Sequence, residues 1–117
     1  MRAALILLLT GTVGALAAPP LPPIERALRG ERCVEDTATM RRSHMSMLEH
    51  QRDATVHGGI RGARHSLKGC IDCHASAKTG SVAAAPGDFC VSCHTYAAVR
   101  IDCFECHSAK AVAQARP

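Results

Sequence analysis

Nine residues between Cys70 and His107 repeat one chemical arrangement three times: Cys70-Ile71-Asp72-Cys73-His74, Cys90-Val91-Ser92-Cys93-His94 and Cys103-Phe104-Glu105-Cys106-His107. C-x-x-C-H is the attachment signature of c-type haem. Two thiols three positions apart lie on one turn and can form thioethers to the two vinyl groups of one haem. The histidine that follows lies under the ring and binds its iron. The rival reading is zinc. Cys70-x2-Cys73, then 16 residues, then Cys90-x2-Cys93 fits a zinc-ribbon spacing. Two features oppose it. A histidine follows the second cysteine of every pair, which a four-cysteine site does not need. A third pair, Cys103 and Cys106, is left without a partner pair. The sequence therefore predicts three covalently bound haem c groups. Cys70, Cys73, Cys90, Cys93, Cys103 and Cys106 are the attachment residues, and His74, His94 and His107 the proximal iron ligands.

Each such iron has a sixth coordination position that its motif does not fill. Soft or imidazole candidates lie upstream: Cys33, Met40, His44, Met45, Met47, His50, His57 and His65. Most fall in TATMRRSHMSMLEHQRDATVH, which has no Gly or Pro. Asp36 or Thr37 can cap its start, and Gly58-Gly59 stops it. The spacing predicts a helix over about 37–57, roughly 30 Å long. At about 100° per residue, His44 shares a face with Met40, Met47 and Leu48, and Met45 points away from it. A core-facing helix normally carries one apolar stripe. This one distributes ligand-type side chains to several sides, as expected if haems pack around it.

Cys33 is the seventh cysteine, outside the three motifs. Its bland reading is a buried small apolar residue. The sharper one is a thiolate ligand to a haem iron. The chemistry alone divides these evenly.

A chain of 117 residues has room for one small domain, and its aromatic content is 3% with no Trp. So few large apolar side chains build a poor core. Haems, as flat apolar bodies, would replace it. The fold expected is a small multihaem cytochrome c, mostly α plus irregular coil wrapped around three haems, without significant β-sheet and with an N-terminal hydrophobic helix. The formal charge of +4 is more than offset by two propionates on each haem. No aromatic platform interleaves the basic residues, so nucleic acid is not a predicted partner. Arg41, Arg42, Arg52, Arg61, Arg64 and Lys68 read as solvated surface or as propionate partners.

The N-terminus begins Met1-Arg2 and continues uncharged from Ala3 to Ala18, the pattern of a secretory signal. Ala15 and Ala17 suit cleavage after Ala17, whereas Pro19-Pro20 hinders it. If retained, this stretch spans about 24 Å as a helix, against a hydrocarbon core of roughly 30 Å. Physics leaves cleavage and retention balanced. Either way the remainder is exported. Pro19-Pro20-Leu21-Pro22-Pro23 reads as a stiff spacer. The predicted organisation is a signal-like segment at 1–18, a Pro-rich linker at 19–32 and a trihaem domain at 33–117. Within that domain, 33–69 carries the distal ligands and 70–107 the motifs.

Cys33-Val34-Glu35, Met40-Arg41-Arg42-Ser43-His44-Met45, His50-Gln51-Arg52-Asp53, Gly59-Ile60-Arg61 and His65-Ser66-Leu67, ahead of the first motif, resemble the DsrJ family. These are trihaem cytochrome c subunits of the DsrMKJOP membrane complex of dissimilatory sulfur metabolism. The resemblance covers about Cys33 to His107. It implies an exported domain on the periplasmic side of the cytoplasmic membrane, with the N-terminal segment kept as an anchor. It implies partners as well: a periplasmic iron–sulfur protein and quinone-interacting membrane subunits. It also implies three ligations, His/His, His/Met and His/Cys. Carried over, Cys33 matches the cysteine ligand, and His44-Met45 the adjacent His-Met pair, with His50 in reserve. Which distal residue serves which haem does not follow from the sequence.

Axial ligands set haem potentials over about 0.8 V. A thioether raises the potential, bis-histidine sits lower and an anionic thiolate lowest. The motifs, 20 and 13 residues apart cysteine to cysteine, keep the haems close. The expected function is an electron relay, a non-catalytic subunit of an oxidoreductase complex. Two alternatives are sulfur chemistry at a haem ligated by Cys33, and a soluble periplasmic shuttle.

Overall fold

The regular structure is helical, and each helix begins and ends where the local sequence offers a cap. The computed structural model describes residues 19–62 and 64–112. The hydrophobic N-terminal helix expected at 1–18 lies outside them. Among the described residues no helix is long and apolar enough to cross a membrane.

Helix α1 runs Thr37–Gly58, one residue beyond the expected end. Of the two candidate caps, Asp36 is used: its carboxylate accepts from the Thr39 N–H at 3.0 Å, satisfying one of the orphan donors of the first turn. Gly59 ends the helix at φ 65°, donating to the carbonyls of Ala54 and Thr55. That left-handed conformation is open to glycine without a Cβ clash. α1 contains no buried residue. The single apolar stripe of a core helix is missing, as the distribution of its methionines and histidines predicted.

Helix α2, Leu67–His74, starts at Ser66, whose Oγ accepts from the Gly69 N–H at 3.3 Å. Helix α3 covers Phe89–Tyr96. Its preceding residue, Asp88, does not cap it with its side chain. The carboxylate turns back instead, accepting from the Ala84 and Ala85 N–H groups at 2.7 and 3.0 Å and from Thr79 Oγ1 at 3.0 and 3.1 Å. Asp88 is only 2% exposed, and these bonds supply the partners a buried charge needs. They tie residues 79–88 into one tight connection. The third motif falls on a single 3₁₀ turn, Cys103–Glu105, entered from Asp102 without a side-chain cap.

Among the described residues the buried apolar core is Ile71, Ala75 and Val82, with Leu67, Cys90 and Phe104 among the half-buried side chains packed on it. The smallness expected from composition is therefore observed. Backbone pairing supplements it. Ser81 and Lys110 form an isolated antiparallel bridge, flanked by Val82 N–H to Ala109 O and Ala111 N–H to Gly80 O, both at 3.0 Å. This straps the segment after the third motif onto the connection between the first two. Among the described residues that bridge is the extent of β-structure, in keeping with the expected absence of a sheet.

The Pro-rich segment departs from expectation. Read as a spacer holding the domain off, it instead lies along it. Ser92 Oγ donates to the Pro23 carbonyl at 2.9 Å, Tyr96 OH to the Pro19 carbonyl at 3.3 Å, and Leu28 N–H to the Cys73 carbonyl at 2.9 Å. Proline cannot donate from its backbone, but its carbonyl remains a good acceptor, and α3 supplies the hydroxyls.

Two substitutions test these supports. Asp88→Ala removes a buried acceptor from three donors and should destabilise the folded protein by about 3 kcal/mol, read by denaturant unfolding. Ala98 sits at φ 54° just after α3, where an L side chain is strained. Ala98→Gly should raise stability by up to about 1 kcal/mol in the same measurement.

Candidate functional site

The structure builds each motif on one short turn. In α2, Cys70 and Cys73 lie three positions apart, hence on one face, and His74 closes the helix. In α3, Cys90, Cys93 and His94 repeat the arrangement. Cys103, Cys106 and His107 occupy the 3₁₀ turn and its exit. None of the seven cysteines is joined to another in a disulfide.

The motif histidines differ in how they are held. His74 stacks on Phe89 of α3, with ring centres 3.9 Å apart and planes inclined by 22°. Phe89 thus fixes the first motif's imidazole from the helix that carries the second motif. This contact has no local signal, because Phe89 adjoins Cys90 and reads as part of the second site. His94 faces His44 of α1, ring centres 5.8 Å apart and planes at 75°. His44 is oriented by its own helix: its Nδ1 lies 2.7 Å from the Met40 carbonyl. A carbonyl can only accept, so Nδ1 is the donor and Nε2 is the nitrogen left outside this bond. Metal-binding histidines are prepared in this way, one ring nitrogen donating to a backbone carbonyl.

Two buried side-chain polar atoms among the described residues lack a hydrogen-bond partner, and both are motif nitrogens: His74 Nδ1 and His94 Nδ1. An unsatisfied buried polar atom costs free energy, so native proteins rarely leave one without a reason. Burial holds both imidazoles below the usual histidine value, with repulsion from His44 adding to the effect at His94. Both are therefore shifted towards the neutral form, the one that ligates a metal.

Burial also pushes the Cys90 thiol up to about 12, with further contributions from the nearby Cys103, Cys70 and Cys93. Cys70 is raised too, by burial first and then by Cys33 and Cys73. The three motifs are thus within electrostatic reach of one another, and Cys33 within reach of the first. Among the described residues no three His, Cys, Asp or Glu side chains gather as a metal-binding group, so the four cysteines of the zinc reading do not converge.

A cleft of about 640 Å³ opens between α1 and the third motif. Cys103, Cys106 and His107 form one wall, and Met45 stands on the α1 wall. Arg52, Arg61 and Lys68 also line it, Arg52 paired with Asp53 and Lys68 with Asp72, together with the acidic Glu49 and Asp102. The haem reading therefore fits the residues present: paired thiols on one turn, imidazoles shifted towards the neutral form with open hydrogen bonding, and a cleft with basic side chains.

The distal candidates separate. His44 lies beside His94 of the second motif, and Met45 shares the cleft that the third motif lines. Cys33 is exposed, in a segment held to the turn before α2: Glu35 pairs with His65 Nε2 at 3.1 Å and with Arg64 at 3.2 Å, and Arg64 also donates to the Val34 carbonyl. That clamp was not legible in the sequence, since its partners are 30 residues apart. His50 is exposed on α1 and lines neither the cleft nor the His94 contact.

Comparison with known proteins adds one relative. No family model matches the chain, and no solved structure does. The chain is 33% identical over 78 residues to the Hdr-like menaquinol oxidoreductase cytochrome c subunit of Archaeoglobus fulgidus, an alignment covering 64% of this chain and 55% of the relative. The chain thus spans about half the length of the curated protein it matches.

Proposed function

We propose that this chain is a trihaem c-type cytochrome that carries electrons as a subunit of a membrane redox complex, on the periplasmic side of the membrane. The observation that carries the reading is the threefold Cys-x-x-Cys-His unit, each copy on one turn, with the Nδ1 atoms of His74 and His94 buried and without a hydrogen-bond partner. The similarity to a cytochrome c subunit of a menaquinol oxidoreductase supports electron transfer within a quinone-linked complex. The resemblance of the Cys33–Leu67 blocks to the DsrJ family supports dissimilatory sulfur metabolism as the setting.

Each cysteine pair would hold one haem by thioethers, and His74, His94 and His107 would ligate the irons from the motif side. Cys33, His44 and Met45 are the proposed distal set. A haem iron supplies one-electron storage whose potential its axial ligands tune. The protein's part is to fix those ligands. Phe89 holds the His74 ring, the Met40 carbonyl orients the His44 ring, and desolvation shifts the His74 and His94 imidazoles towards the neutral form. Arg52, Arg61 and Lys68 would face the propionates of the third haem. The charge-free Ala3–Ala18 stretch supports export and membrane attachment of the full chain.

Mass analysis of the purified protein should find three covalent haems, and Cys70→Ala/Cys73→Ala should lower the count to two. Bound zinc without covalent haem would overturn the reading. Membrane attachment has its own test. The full-length protein should stay with membranes through a high-salt wash and leave them in detergent, whereas release by salt alone would favour a soluble shuttle.

A further inference from the structure

We propose that Phe89, which adjoins the second motif, is a positioning residue for the first. Its ring fixes the rotation of the His74 imidazole about the iron–nitrogen bond, and so ties the potential of the first haem to the helix that carries the second. The proposal rests on the reading of the motifs as haem sites and goes beyond it, because Cys-x-x-Cys-His spacing supplies a ligand without saying how that ligand is turned.

An imidazole bound through one nitrogen keeps one free rotation, about the metal–nitrogen bond. Proteins commonly stop it with a hydrogen bond from the other ring nitrogen to a carbonyl, a carboxylate or water. His74 is not held in this way: its Nδ1 is buried without a partner. What bears on the ring is Phe89, with centres 3.9 Å apart and planes inclined by 22°. Rings lying face to face at that distance are in van der Waals contact. Turning the imidazole would drive its edge into the face of Phe89. His94 Nδ1 also lacks a partner, but its aromatic neighbour His44 meets it at 75°. Among the described residues the near-parallel stack belongs to the first site.

The backbone on both sides of the stack is held in place. Asp88, just before Phe89, is 2% exposed and its carboxylate accepts from the Ala84 and Ala85 N–H groups. Just after Phe89, the Cys90 N–H donates to the carbonyl of the fully buried Val82 at 3.1 Å. Around His74, the Cys73 carbonyl accepts from the Leu28 N–H and the Ser76 N–H donates to the Ser81 carbonyl, both at 2.9 Å. Phe89 is not used for the core. Phe104, the other phenylalanine, packs on the Ile71, Ala75 and Val82 cluster, and Phe89 is not among the side chains packed there. The orientation of an axial imidazole decides which iron orbital it donates into, and through that the magnetic anisotropy and the potential of the site. A change beside the second motif is therefore read at the first haem.

The full-length holoprotein tests this with Phe89→Leu, which keeps an apolar side chain and removes the aromatic face, and Phe89→Tyr, which keeps the face. Haem count is checked by mass, and each haem is followed by electron paramagnetic resonance and redox titration. Cys70→Ala/Cys73→Ala and Cys90→Ala/Cys93→Ala identify the first and second signals by their loss. If these deletions do not accumulate, His74→Met marks the first signal by changing its ligand. Phe89→Leu should retain three haems, displace the largest g value of the first, and change its ferric-to-ferrous ratio at a fixed potential several-fold. The second signal should stay where it is, and Phe89→Tyr should match the wild type. An unmoved first signal, a shift confined to the second haem or shared equally by both, or a Phe89→Tyr shift as large as that of Phe89→Leu overturns the proposal. Should Phe89→Leu not accumulate, Phe89→Met takes its place under the same criteria. A wild-type chain without covalent haem would fail the haem reading itself, a distinguishable result.

Discussion

Scarcity of apolar volume is the constraint on which this structure depends. Ile71, Ala75 and Val82 are the buried apolar side chains among the described residues, and the longest helix buries none. A polypeptide with so little to remove from water must order itself by other means. It does so by directed hydrogen bonds at a few places: the Asp88 carboxylate that gathers residues 79–88, the bridge between Ser81 and Lys110, and the hydroxyls of Ser92 and Tyr96 that fasten the proline segment. These contacts surround the motif-bearing turns. The space beside the turns stays open, most visibly in the cleft between α1 and the third motif.

That division between fastened and open regions gives the site its chemistry. Where the chain is fastened, the first two motif imidazoles are half-buried, shifted towards the neutral form, and without a hydrogen-bond partner at Nδ1. Where it is open, a wall with Met45 and basic residues faces the third motif. The same helix borders both the His94 contact and the cleft. Its side chains therefore behave less as a core face than as a set of pointers, each direction fixed by the 100° step of the helix.

The two least conventional parts of the site are held from a distance. Phe89 steadies an imidazole on another helix. Glu35 gathers Arg64 and His65, which secures the segment of Cys33 and occupies His65, an imidazole that would otherwise compete in the cleft. Both devices use residues whose sequence neighbourhoods suggest other roles. Phe89 looks like part of the second motif, and His65 like one more ligand candidate.

The sequence by itself determined what acts through local geometry. Three positions of spacing place two cysteines and a histidine on one turn, whatever the rest of the chain does. The absence of Gly and Pro, an Asp at the start and Gly59 at the end define α1 almost to the residue. Composition announced the small core, and among the described residues β-structure is limited to one bridge. Tertiary structure decided which distant groups come together: His44 with His94, Met45 with the cleft of the third motif, Glu35 with Arg64 and His65, and the proline segment with α3. These pairings join residues that are 30 or more positions apart in several cases. No local periodicity encodes them, because they follow from how the connections between helices close. The Asp88 carboxylate shows the difference most plainly. Its position before α3 suggests a helix cap, yet the backbone donors of the preceding loop claim it instead.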